Sequence, residues 1–320
     1  MDLHSIVFNK FGRLRSGWRV TLYIVALFVL SFLLTTLLRM AYLTATRFAS
    51  SPRLTDFWTN AVFRLGELAA ALIAGYVCVR LLEGLPWRSL GLTLHKGWAR
   101  DLIVGSAIGF VALALAVGVA AAGGGLRFSF IGNAMLGAAV KSLIFFGLLF
   151  LLAALAEEAI FRGYPLQTMT RAGLTWFSVI LTSVLFGLGH LLNPNVVPGF
   201  TFINTVIAGV WLALAYLKTR SLWFPLGVHW GWNWALGCVF GLPISGLHLI
   251  RNPILLGNDA GPAWLTGGDY GIEGGAAATV ALIVSILFIW RTRLVSPTPD
   301  LLKLTSEENP ATPGRVSLLS

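Results

Sequence analysis

Apolar residues fall in long runs separated by short polar or glycine-rich stretches, at positions 20–38, 61–82, 102–122, 136–156, 174–192, 202–217, 222–242 and 276–290. A helix rising 1.5 Å per residue needs about 20 apolar residues to cross the hydrocarbon of a bilayer, so runs of this length predict transmembrane helices. The first run follows Lys10, Arg13 and Arg15 and superficially resembles a signal peptide. It is too long for one, because the apolar part of a signal peptide has about 7 to 15 residues. Gly123, Gly124 and Gly125 end the third run as flexible punctuation. The expected fold class is therefore all-α, a polytopic membrane protein with about eight transmembrane helices around a polar intramembrane cavity.

Four segments are expected along the chain. Residues 1–135 form an N-terminal transmembrane region of three helices, and 136–242 form a catalytic transmembrane core. Residues 243–295 hold a loop and the last helix, and 296–320 form a Pro-, Ser- and Thr-rich tail read as disordered. The stretch 243–275 is glycine-rich yet carries Leu249, Ile250, Ile254, Leu255 and Leu256, which suits either an outer loop or a re-entrant cover.

Composition sharpens the class. Of 320 residues, 57% are hydrophobic and only 11% charged, which excludes a water-soluble domain and makes the lipid bilayer the first partner. The net charge of +10 does not point to nucleic acid, because the basic residues lie between apolar runs and form no single basic stripe. They set topology instead, and an N-inside arrangement puts the larger share of Lys and Arg on the side of both termini. Cys78 and Cys238 lie inside apolar runs, where a thiol packs as a small hydrophobe, so neither suggests a disulfide or a metal motif.

The candidate chemistry begins where Glu157, Glu158 and Arg162 interrupt the greasy stretch after Leu143. An ionisable residue at membrane depth costs about 2.5–3.5 kcal/mol on insertion scales, so it is usually paired, turned inward and functional. Three pairs recur at i, i+4 spacing, each on one face of its own helix: Glu158 with Arg162, Phe186 with His190, and His229 with Asn233. Turning all three faces toward one hydrated cavity satisfies them together. If the fourth helix continues through Gln167 and turns near Ala172 and Gly173, Glu157 and His190 each lie about 24 Å from the turn and meet at one level. Arg64 and Glu67, at i and i+3, read as a local structural pair.

Within the cluster, Glu158 reaches Arg162 one turn on, whereas Glu157 points about 100° away and lacks that partner. Glu157 is therefore the expected general base, His190 could share a water with it, and His229 with Asn233 could hydrogen-bond a developing oxyanion. Phe186 is expected to shape the pocket. The constellation suits hydrolysis of an amide bond. An ion or proton relay in a transporter is the alternative from another class, though no repeated halves are visible in the sequence.

The ordered set Glu157-Glu158-x-x-x-Arg162, Phe186-x-x-x-His190 and His229-x-x-x-Asn233, with the local sequences EEAIFRGY and FGLGHLLNP, resembles the CPBP family of intramembrane proteases. That family contains CAAX prenyl endopeptidases and bacterial relatives linked to bacteriocin processing or self-immunity. The resemblance implies an endopeptidase of the bacterial cytoplasmic membrane, acting on a peptide or protein in or at the bilayer. It also implies that Glu157 and His190 activate water while His229 and Asn233 stabilise the oxyanion. A metal-free glutamate mechanism with no cofactor is expected, since H-E-x-x-H is absent; zinc held by the histidines and carboxylates is the competing version. A catalytically silent immunity or interaction protein is a further alternative within the same resemblance.

Overall fold

The computed structural model describes residues 3–45, 52–197 and 199–306. Its helices are α1 (Leu3–Val7), α2 (Ser16–Ala45), α3 (Pro52–Leu82), α4 (Trp98–Ala122), α5 (Leu136–Glu158), α6 (Pro165–Arg171), α7 (Thr175–His190), α8 (Phe200–Thr219), α9 (Trp223–Trp234), α10 (Ala263–Thr266), α11 (Ala276–Arg291) and α12 (Pro299–Ser306). Two short antiparallel strands, β1 (Leu126–Phe130) and β2 (Leu255–Asp259), pair from Leu126 with Asp259 to Phe130 with Leu255. Each of the eight apolar runs forms a helix. Among the described residues, five helical segments are long and apolar enough to cross a membrane, and the protein is an all-α polytopic membrane protein. Phe28 and Phe32 of α2 point outward from the bundle, as expected of side chains that meet lipid and not water.

The long fourth helix is present. A wide turn of π-helix at Ala159–Gly163 joins α5 to α6, giving one apolar span over Asn133–Arg171. It ends in a Schellman motif: the Leu174 N–H donates to the Met169 carbonyl at 2.9 Å and the Gly173 N–H to Thr170 at 3.0 Å. Gly173 takes φ +81°, a conformation that a side chain would oppose. Helix α7 then returns antiparallel, so the hairpin places Glu157 and His190 near one level.

Helices α4 and α9 approach backbone to backbone through two reciprocal glycine pairs. A Cβ added at Gly105 or Gly109 would lie 2.4 or 2.0 Å from the carbonyl oxygens of Phe224 and Val228, and one at Gly227 or Gly231 2.2 Å from those of Leu102 and Ser106. Lipid tails offer no hydrophobic drive between helices, so close approach of small residues is what holds such pairs together. At 100° per residue, Gly227 and Gly231 occupy one side of α9 while His229 and Asn233 occupy the opposite side. The glycine face therefore fixes the helix whose other face enters the cavity.

A buried ionic knot ties α2, α3 and α6. Glu83 lies 2.7 Å from Arg171 and 3.5 Å from Arg19, and accepts a hydrogen bond from Thr168 at 2.6 Å. Part of the expected disordered tail is instead ordered. Residues Pro299–Ser306 form α12, capped by Thr298 and with Leu301 and Thr305 buried, because its apolar side has a surface to cover; residues 307–320 lie outside the described residues. The glycine-rich stretch after α9 lies across the end of the bundle. Strand β2 holds it to β1, and the Asn195 side chain donates to the Gly246 carbonyl at 3.1 Å.

Candidate active site

Glu157 and Glu158 end α5 immediately before the π turn, a helix irregularity found frequently at functional sites. Glu158 is fully buried, and its Oε1 meets Arg162 Nη1 at 3.2 Å. Arg162 is equally buried, donates through Nη2 to the Gly209 carbonyl at 2.9 Å, and lies 4.8 Å over the Phe186 ring. That carbonyl is reachable because α7 and α8 touch at Gly209, where a Cβ would meet Ser183 Cα at 2.7 Å. Three elements thus fix one guanidinium, and its charge is matched by the carboxylate it holds.

His229 brings the two glutamates together. Its Nδ1 is 2.9 Å from Glu158 Oε1, and its Nε2 is 3.7 Å from Glu157 Oε2. An ionised carboxylate can only accept, so Nδ1 carries the hydrogen of that contact. In His190, Nδ1 lies 2.8 Å from the Phe186 carbonyl and donates to it, which leaves Nε2 of the neutral ring as an acceptor. The Phe186 ring stands between the histidines, 4.5 Å from His190 and 6.1 Å from His229.

Glu157, His190, His229 and Asn233 line one cavity of about 140 Å³, with Phe186 in its wall. Glu158 and Arg162 sit behind it. The expectation that Glu157 lacks a partner is corrected: Arg64 Nη1 lies 3.3 Å from Glu157 Oε1 and 3.0 Å from Glu67 Oε2. Helical spacing reports only same-helix neighbours, and this partner comes from α3. His229 likewise contacts both glutamates in addition to sharing the cavity with Asn233.

The cover supplies residues that sequence reasoning left without a role. Glu273 lines the cavity, accepting from Trp232 Nε1 at 3.0 Å and from the Ser245 N–H and hydroxyl at 2.6 and 2.9 Å. Ser245 lines it too. The only sequence signal was a carboxylate among glycines, four residues after Asp269 and just ahead of an apolar run. Among the described residues no three His, Cys, Asp or Glu side chains converge as a metal ligand set.

Residues 139–235 match the family model described as type II CAAX prenyl endopeptidase Rce1-like. That segment is similar to the Rce1-like domains of the CPBP family. No curated protein matches it. The matched segment runs from α5 to the end of α9 and contains all seven residues of the three sequence motifs. It leaves out α3 and the cover, so Arg64, Ser245 and Glu273 are contributions of this chain outside the Rce1-like segment. The match supports an intramembrane protease within a multi-pass membrane protein.

Proposed function

We propose that the protein is a glutamic-type intramembrane endopeptidase that hydrolyses peptide bonds of membrane-associated or leader-type peptides without a metal. The observation that carries this reading is the convergence of Glu157, His190, His229 and Asn233 on one cavity inside the Rce1-like segment. Water bound between Glu157 and the acceptor Nε2 of His190 gives its proton to the Glu157 carboxylate as its oxygen attacks the scissile carbonyl carbon. The tetrahedral oxyanion accepts hydrogen bonds from the Asn233 amide and from His229 Nε2 when that ring carries its second proton. Collapse breaks the C–N bond, and the proton held by Glu157 passes to the leaving amine. Glu158 and Arg162 orient His229 and do not meet the substrate. The Lys and Arg distribution favours both termini in the cytoplasm, and a bacterial cytoplasmic membrane suits the family.

Comparing the peptides released in membranes of cells carrying the wild-type protein or Glu157→Ala tests the reading and maps the substrate. Cleavages lost in Glu157→Ala and in His190→Ala, and retained by purified wild-type protein in strong chelator, are the expected result. Equal peptide release from wild type and both variants overturns proteolysis, and loss in chelator restored by zinc overturns the metal-free mechanism. An ion-coupled transporter would instead give ion-dependent flux in liposomes and no cleavage.

A further inference from the structure

Arg64 projects from α3, outside the segment shared with the Rce1-like family, into the wall of the catalytic cavity. Its Nη1 meets Glu157 Oε1 at 3.3 Å, while the other oxygen of that carboxylate lies 3.7 Å from His229 Nε2. Glu157 is therefore held from both sides, across a terminal torsion that is otherwise broad in glutamate. The same Nη1 is tied to Glu67 at 3.0 Å, one turn along α3. Helix α3 itself is fixed, because Gly66 packs where a Cβ would meet Thr35 of α2 at 2.8 Å, and its far end leads into the Glu83 knot. The other arginine of the site, Arg162, is already committed to Glu158 and the Gly209 carbonyl.

We propose that Arg64 is the positioning residue for Glu157, making α3 a working part of the proteolytic site. The inference rests on the proteolytic reading of Glu157. Without the guanidinium, nothing screens the Glu157 carboxylate from Glu67, which shares Arg64 with it, and the like charges drive it away from the water it must activate. Arg64 acts through Glu157 and not on the peptide, so its removal should reduce turnover and leave substrate binding unchanged.

The test uses full-length protein in proteoliposomes and a quenched fluorescent peptide spanning the cleavage site mapped by the peptide comparison. Arg64→Gln should lower kcat by about 30-fold or more with KM within about twofold. Arg64→Lys, which keeps the charge but not the planar fork, should recover only in part, to a kcat about three- to fivefold below wild type. Wild-type kcat in Arg64→Gln, or an effect confined to KM, overturns the proposal; the second result would put Arg64 on the substrate. Should Arg64→Gln fail to accumulate in the membrane, Arg64→Lys decides. A kcat several-fold below wild type at unchanged KM then supports positioning, and wild-type kcat or a raised KM overturns it. Glu157→Ala in the same assay separates the two levels: if it still cleaves, the proteolytic reading has failed; if it is inert while Arg64→Gln is fully active, only the role of Arg64 has.

Discussion

One methyl group on the back of α9 should disable the site from across the helix. In Gly231→Ala the new Cβ would sit 2.2 Å from the Ser106 carbonyl oxygen, and ordinary contact begins at 3.4 Å, so α9 must leave α4 by about 1.2 Å. His229 lies on the opposite face, so the same motion drives it toward Glu158, with which it is already in contact at 2.9 Å. That distance cannot shorten by 1 Å. The imidazole must rotate out of line or the Glu158–Arg162 pair must part, and a displacement of about 1 Å in a catalytic group costs roughly 100-fold in rate. Overpacking at the helix contact should also lower stability by about 1–3 kcal/mol. Gly118→Ala is the control: it lies on α4 with nothing within 4 Å of its added Cβ, and gaining alanine there should leave activity intact and be mildly stabilising. The assays are peptide cleavage in proteoliposomes and thermal unfolding in detergent. Wild-type cleavage and stability in Gly231→Ala would refute the backbone contact and the coupling of α4 to His229.

Arg162→Ala leaves the buried Glu158 carboxylate without its cation, and should destabilise the protein by about 3–5 kcal/mol, seen as a large fall in the thermal unfolding midpoint. At the end of α3, burial pushes the Glu83 carboxyl up, but Arg171 and Arg19 together with the Thr168 and Arg171 hydrogen bonds outweigh it and hold the group below the ordinary glutamate range. A depressed folded pKa contributes stability that is full above the unfolded value, near pH ~4.3, and is lost as pH falls through the folded value. Glu83→Gln should therefore lower stability at neutral pH and flatten the loss below about pH 4, measured as unfolding midpoints against pH. Glu273→Ala removes the carboxylate that joins Trp232 to Ser245, and should speed limited proteolysis within 243–254 by about tenfold or more, since hydrogen bonds to a charged acceptor contribute about 1.5–3 kcal/mol each.

What could be read from the sequence followed one rule: relations within a helix or across one hairpin were visible, relations between helices distant in the chain were not. The eight apolar runs and the hairpin about Gly173 follow from length, rise per residue and a glycine stop, so the level shared by Glu157 and His190 could be worked out in advance. The Glu158–Arg162 pair is likewise an i, i+4 relation, and it survives the π turn at 3.2 Å. Arg64 looked satisfied because Glu67 stands three residues away, and nothing in the spacing shows that Nη1 also serves a carboxylate far along the chain. The 243–275 stretch had no helical period to report, and its course is set by pairing with β1 and by contacts at Gly246 and Glu273. Pro299–Ser306 was masked by its composition: proline and threonine suggested disorder, yet Thr298 caps a short helix whose Leu301 finds a surface.

The charges of the site divide into two units that a single ring connects. Glu158 and Arg162 form a buried pair with no exposure, closed off by the Phe186 face and the Gly209 carbonyl. Glu157 and Arg64 form a second pair that retains contact with the cavity, with side chains 15% and 31% exposed. His229 links them, its Nδ1 donating to the closed pair and its Nε2 directed at the open one. The closed pair fixes the tautomer: with Nδ1–H committed to Glu158, the neutral ring offers the cavity a lone pair, and the ring offers an N–H there only as imidazolium. His229 can therefore stabilise an oxyanion only in its doubly protonated form. In the proposed mechanism Glu158 accompanies that charge in a place water does not reach. On the proposed mechanism, a carboxylate that never meets the cavity still belongs to the site, and the two adjacent glutamates divide the work: one to take a proton from water, and its neighbour to hold the histidine that donates to the oxyanion.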